Sequence, residues 1–159
     1  MRCPRSGGRM PGKYFDQFAT GETIRHDVRR TVTETDNLLF TALTHNTQPM
    51  HLDAEAAAKS EFGHILVNSI FTFGFMLGVS VTDTTQGTLV ANLGMDKVVF
   101  PKPVRIGDTL HAETQVVDIR KSKSRPGQGI VVFQHHCFNQ RNEIVAQCLR
   151  TALLKRSDA

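Results

Sequence analysis

A chain of 159 residues, 40% apolar and 21% charged, is long enough to bury a real core and fits one domain. Its net charge of +4 is mild, its Lys and Arg are scattered, and with no Trp and one Tyr it lacks base-stacking platforms, which argues against nucleic acid as a partner. A small anionic ligand fits this balance better.

The start, MRCPRSGGRMPGK, is basic without an apolar run, so it reads as a flexible arm over residues 1–12 and not as a secretory signal, with Met10 an alternative start. A single domain is expected over 13–157. It opens with a short strand around Tyr14–Phe18 and a turn at Thr20-Gly21, then a strand over 23–33 on the evidence of its alternation. Thr33 is placed to N-cap a helix over Glu34–Leu43, with Asp36 standing three residues on where Glu or Gln is usual. Asp53 is placed to cap a second helix, AEAAAKSEF, which Gly63 closes.

Ile65–Val81 carries no charge and nears membrane-spanning length. Asn68, Ser69, Thr72, Gly74, Gly78 and Ser80 interrupt it, and no basic flank anchors it. The expectation is therefore a helix over about Val67–Val79, apolar on most sides because a sheet covers it.

From Thr88 onward the chain reads as four antiparallel strands linked by hairpins: TLVANLGMDKVVF, DTLHAETQVVDIRKSK, GIVVFQHHCFNQ and EIVAQCLRTALLKR. Turns are expected at Gly107-Asp108, Pro126-Gly127 and Arg141-Asn142. One long helix ahead of such a meander implies an α+β domain whose sheet wraps the helix. Cys3, Cys137 and Cys148 show no CxxC spacing, and Cys137 and Cys148 lie in apolar runs, as buried thiols of a reducing cytoplasm do.

The polar run HNTQPMHLD, residues 45–53, separates the first two helices. A lone His ahead of a capped, Ala-rich helix is commonly a loop residue, and an Asn in a turn commonly bonds its own backbone. The run nevertheless continues as Thr44-His45-Asn46-Thr47-Gln48-Pro49-Met50-His51-Leu52-Asp53, then AEAAAKSEFG and an apolar helix. Downstream come Phe100-Pro101-Lys102-Pro103-Val104 and Gly107-Asp108.

In this order, from about Phe15 to Arg156, these segments resemble the MaoC-like (R)-specific enoyl-CoA hydratase/dehydratase family. The resemblance implies a hot-dog fold, an antiparallel sheet wrapped around one long apolar helix. The stretch from Leu66 to Gly94 and the segment KSKSRPG look like the branch acting on mesaconyl- or itaconyl-CoA.

What the resemblance implies for the site can be placed residue by residue. The family's catalytic His falls on His51, and its catalytic Asp falls on Asn46. Asn46 is no base, but its amide can orient a water while His51 alone moves the proton. The family's Gly near the start of the long helix is Ser69, and the Asn before the Pro is Gln48. Asn68–Ser69 is the expected source of a backbone donor for the thioester oxygen.

The basic cluster around Lys121, Lys123 and Arg125 reads either as a solvated hairpin or as a clamp for the phosphates of coenzyme A or a substrate carboxylate. His45, His64, His111, His135 and His136 read as surface or strand histidines without metal-ligand spacing. No metal and no separate cofactor is expected, coenzyme A being part of the substrate.

The implied partner is an acyl-CoA thioester, and the implied assembly is a homodimer, or a dimer of such dimers, with the active cleft at the dimer interface. Two other readings stay open. An acyl-CoA thioesterase shares the fold, but Ile65–Val81 contains no Asp or Glu to attack the carbonyl. A non-catalytic acyl-CoA-binding protein would account for Asn46 in place of an acid.

Overall fold

The computed structural model describes residues 12–157. The expected arm therefore lies outside the described residues except for Gly12, which packs so close to Gln86 that a Cβ there would meet its backbone.

The expected first strand is a 3-10 turn, Phe15–Gln17, in which Gln17 Oε1 accepts from the Tyr14 N–H at 2.9 Å. Phe15 and Phe18 sit three apart, one 3-10 turn, and both enter the core; Phe18 meets Phe133 edge-on at 5.3 Å. The strand expected over 23–33 survives only as β1 (Thr23–Arg25) and β2 (Arg30–Thr31), both paired with one later strand. Arg25 faces Glu113 and Arg30 faces Leu110, so five steps of one chain span three of the other. The surplus loops out and turns His26 inward.

Helix α1 (Glu34–Leu43) begins as expected, with Thr33 Oγ1 accepting from the Asp36 N–H at 3.2 Å and Asp36 returning a bond to the Thr33 N–H at 2.9 Å. Helix α2 (Ala54–Ala58) is capped by Asp53, which accepts from Glu55 and Ala56 N–H groups at 2.9 and 3.0 Å. It ends well before Gly63, because the Ser60 hydroxyl donates to the Ala57 carbonyl at 2.6 Å and competes with the helical ladder.

Helix α3 (Ser69–Thr84) starts and ends later than expected. Val67 is left outside it, donating its N–H to the Val104 carbonyl at 2.9 Å. Thr84 Oγ1 bonds back to the Ser80 carbonyl at 2.5 Å, so the last turn closes on itself and brings Asp83 onto the helix. Among the described residues, no helix is long and apolar enough to cross a membrane.

Strands β3 (Leu89–Val99), β4 (Thr109–Lys121), β5 (Gln128–Phe138) and β6 (Ile144–Lys155) complete one antiparallel sheet ordered β1-β4-β5-β6-β3, with β2 also on β4. Only β4-β5-β6 is a hairpin meander. Strand β3 lies at the far edge beside β6, not beside β4. Its connection to β4 carries Pro101 and Pro103, which have no N–H for a hairpin ladder, and it bridges instead to Leu66 through Arg105.

Helix α3 packs on β4, β5 and β6, with Met76, Leu110, Cys137, Val145 and Cys148 buried between them. Burial holds the Cys137 thiol up at about 12 and that of Cys148 at about 11, so both stay protonated.

Candidate functional site

His51 closes a short 3-10 turn, Pro49–His51, that the Pro opens between α1 and α2. Its Nδ1 lies 2.9 Å from the Leu66 carbonyl oxygen. A carbonyl only accepts, so Nδ1 carries the hydrogen and Nε2 keeps a free lone pair. The half-buried ring lines a cavity of about 390 Å³ walled by Met50, Phe62, Val67, Phe100, Val104 and Val145.

Ser69, the first residue of α3, lines the same cavity. The first N–H groups of a helix have no partner within it. The Asn68 N–H is taken by Asn37 Oδ1 at 2.8 Å, and the Ile70 N–H by Asn68 Oδ1 at 3.0 Å. That leaves the Ser69 N–H without a partner among the described residues. Of the expected pair Asn68–Ser69, then, Asn68 is a buried cap whose own N–H is committed, and Ser69 carries the open donor. A largely apolar cavity with an imidazole and a helix N-terminus suits a thioester whose oxygen gains negative charge during reaction.

Asn46 stands apart from that lining. Its Oδ1 accepts from the Gln48 N–H at 3.0 Å, an Asx turn, while its side-chain NH₂ has no hydrogen-bond partner among the described residues. Lys121, Lys123 and Arg125 lie where β4 turns into β5, and the cavity lies at the other end of the sheet, near Val104 and Val145. The thirteen residues of β4 span about 40 Å between those ends. One chain does not bring the cluster to His51.

A different basic group stands at the cavity. Lys102, Arg105 and Arg141 line a recess of about 350 Å³ that shares Lys102 and Pro103 with the cavity wall. Lys102 and Arg141 both bond Glu143, at 2.7 and 2.9 Å, and Lys102 first, then Asn139 and Arg141, hold its carboxyl down at about 2. The Arg105 guanidinium is exposed and unpaired among the described residues. These three cations come from the β3–β4 connection and the β5–β6 turn, which sequence spacing alone does not bring together.

A second polar group runs through the sheet. His26 Nδ1 lies 2.7 Å from Asp83 Oδ2, and His26 Nε2 lies 2.8 Å from Thr114 Oγ1, which is 2.8 Å from His135 Nδ1. His135, expected as an ordinary strand histidine, is wholly buried, and its Nε2 has no partner among the described residues. Burial first, then the charge of Arg150, holds its pKa down at about 3. His136 points to the other face, as the strand period requires. Among the described residues, no group of three or more His, Cys, Asp or Glu is placed to hold a metal ion.

The profile of the MaoC like domain matches residues 16–135. The chain is 31% identical over 147 residues to mesaconyl-CoA hydratase of Cereibacter sphaeroides, covering 92% of this chain and 42% of that one. It spans about two fifths of the length of the curated relatives that it matches first. Among solved structures it is similar to a MaoC-like dehydratase from Rhodospirillum rubrum, with a TM-score of 0.80 and 32% identity over 91% of this chain and 98% of the other. A Mycobacterium tuberculosis protein with a double hotdog fold aligns at a TM-score of 0.85 over 94% of this chain and 46% of its own, at 23% identity, a likeness of fold alone. The sheet and central helix are thus a hot-dog fold.

Proposed function

Because the chain belongs to the MaoC-like domain family, we propose that it is a hydro-lyase adding water across the double bond of a small, branched dicarboxylic enoyl-CoA such as mesaconyl- or itaconyl-CoA. The observation that carries this reading is the His51 imidazole, fixed with Nδ1–H on Leu66 and sharing one cavity with the open Ser69 N–H. The relative from Cereibacter sphaeroides supports the acyl class.

In the forward direction the water oxygen bonds Cβ while His51 Nε2 takes one of its protons. The π electrons move through Cα to the thioester oxygen, which the Ser69 N–H stabilises. His51 then returns the proton to Cα as the enolate collapses. Although Asn46 is not among the residues walling the cavity, its unused NH₂ is proposed to orient the water from beyond that wall. No metal or separate cofactor enters this scheme. The test is incubation with crotonyl-, mesaconyl- and itaconyl-CoA and detection of a water adduct by mass. No adduct with any of them, together with tight binding of the esters, would mean a non-catalytic acyl-CoA-binding protein.

A thioesterase is less well supported. The extended α3 does carry an acid, Asp83, but it stands about 21 Å along the helix from Ser69 and bonds His26. Among the described residues, no carboxylate lines the cavity beside the thioester position.

The phosphates of coenzyme A have two candidate contacts in this reading, and the recess at Lys102 and Arg105 is favoured because it shares Lys102 and Pro103 with the cavity wall. Charge reversal at Lys102 and Arg105 is expected to raise KM for acyl-CoA about tenfold or more, with kcat kept. The same reversal at Lys123 and Arg125 is expected to leave KM within twofold. The opposite pattern would hand the clamp to the hairpin cluster.

The second hot-dog unit is proposed to be another copy of this chain, joined along β3. The outer edge of β3 has no strand partner among the described residues, and it exposes Leu93, Met95, Val98 and Val99. Such an edge is a template for pairing. Sedimentation equilibrium is expected to give twice the 17.7 kDa chain mass, and a monomer at micromolar concentration would refute the pairing.

A further inference from the structure

We infer that Asn37 is a positioning residue that locks the His51 imidazole to the N-terminus of α3, holding the proton carrier and the thioester-oxygen donor as one rigid unit. The inference rests on the hydratase reading for its kinetic consequence, though not for its geometry.

Asn37 lies in the first turn of α1 and is almost fully buried. Its side chain is spent on three backbone groups from two separate segments, the turn at His51 and the stretch just before α3. Nδ2 donates to the carbonyl of His51 itself at 3.0 Å and reaches the Leu66 carbonyl at 3.4 Å. Oδ1 accepts from the Asn68 N–H at 2.8 Å. The Leu66 oxygen is the same atom that takes the His51 Nδ1–H.

One amide therefore touches the base's main chain, the acceptor that fixes its tautomer, and the residue immediately before Ser69. His51 and Ser69 are eighteen positions apart, with α2 and an irregular loop between them. Both His51 and Leu66 hold their places partly through this single side chain. A group needed only to fill the space could be apolar, since it lies among packed residues. An amide with both ends engaged is needed because it must donate toward the His51 side and accept from the helix side at once.

Asn37→Asp separates the two functions. It keeps an oxygen for the Asn68 N–H but presents oxygen, not NH₂, to two carbonyls. The measurements are steady-state kinetics on the enoyl-CoA that the wild type hydrates, and the ¹⁵N spectrum of histidine-labelled protein, with the His51 signals assigned by their loss in His51→Ala.

The wild type is expected to show His51 as one neutral Nδ1–H tautomer. In Asn37→Asp that signature is expected to average between tautomers while kcat falls at least tenfold and KM stays within twofold. Thr41→Val, at a buried site one turn along the same helix, is the packing control and is expected to move none of these. An unchanged kcat, or a loss of kcat with the His51 signature intact, would overturn the inference and leave Asn37 a purely structural group. Should Asn37→Asp not fold, the wild-type spectrum decides. A His51 that samples both tautomers, or an Asn37 NH₂ that exchanges freely with solvent, overturns the lock, and a single tautomer with a protected NH₂ supports it. If the wild type hydrates no enoyl-CoA, the hydratase reading fails separately, and the His51 spectrum still tests the lock.

Discussion

Replacing His51 by Ala lowers kcat at least a hundredfold, about 2.7 kcal/mol of barrier, while the melting temperature moves by only a few degrees. The expectation follows from where the ring sits. Its Nδ1 hydrogen is committed to Leu66, so Nε2 is the only nitrogen able to take a proton from water. Removing the ring does not orphan the Leu66 carbonyl, because Asn37 Nδ2 still approaches it. The loss is therefore kinetic, and a circular-dichroism melt beside the rate measurement separates it from unfolding.

Asn46→Asp is the companion variant and is expected to keep or raise the rate. One carboxylate oxygen can retain the Asx turn to Gln48, and the other places a base where the amide NH₂ stood. A His51→Ala protein that hydrates at the wild-type rate would remove the proposed proton carrier.

The second large effect concerns stability. His135 is neutral in the folded protein, with its pKa near 3 against an ordinary value of 6.5. Between those values the unfolded chain binds a proton that the folded one excludes, so stability rises with pH across that window. The contribution is complete above about pH 6.5 and shrinks as pH falls toward 3. Going from pH 7 to pH 5 should cost roughly 2 kcal/mol through this residue alone.

His135→Gln keeps a polar group beside Thr114 but cannot titrate. It is expected to lower stability at pH 7 and to flatten the fall between pH 7 and pH 5 by about that 2 kcal/mol. Urea unfolding of both proteins at the two pH values checks it. Equal falls in both would show that His135 is not the group responsible.

Much of this was legible in the sequence wherever the cause is local. The Thr33–Asp36 box and the Asp53 cap are set by residues within one turn of each other, and the structure builds both. Left-handed backbone at Gly107 and Asn142 marks the turns that dipeptide chemistry announced. His51 stood out because a motif surrounds it.

What sequence did not reveal depends on distant segments meeting. The place of β3 beside β6 is a matter of long-range pairing, and alternation is the same whichever neighbour a strand takes. His26 lay inside an apparently regular strand and became a buried partner of Asp83 and Thr114 only because the strand loops out there. Nothing near Asn37 in the chain signals its bonds to residues 51, 66 and 68. The basic group at the cavity is divided between residues 102–105 and 141, too far apart to form a run.

The acceptor that fixes the His51 tautomer is a main-chain oxygen, and no substitution at Leu66 short of a backbone break deletes it. The walls around it, Met50, Phe62, Phe100 and Val145, are side chains that mutation can freely enlarge or shrink. Selection acting on this pocket can thus exchange one acyl group for another while the starting position of the proton is inherited unchanged.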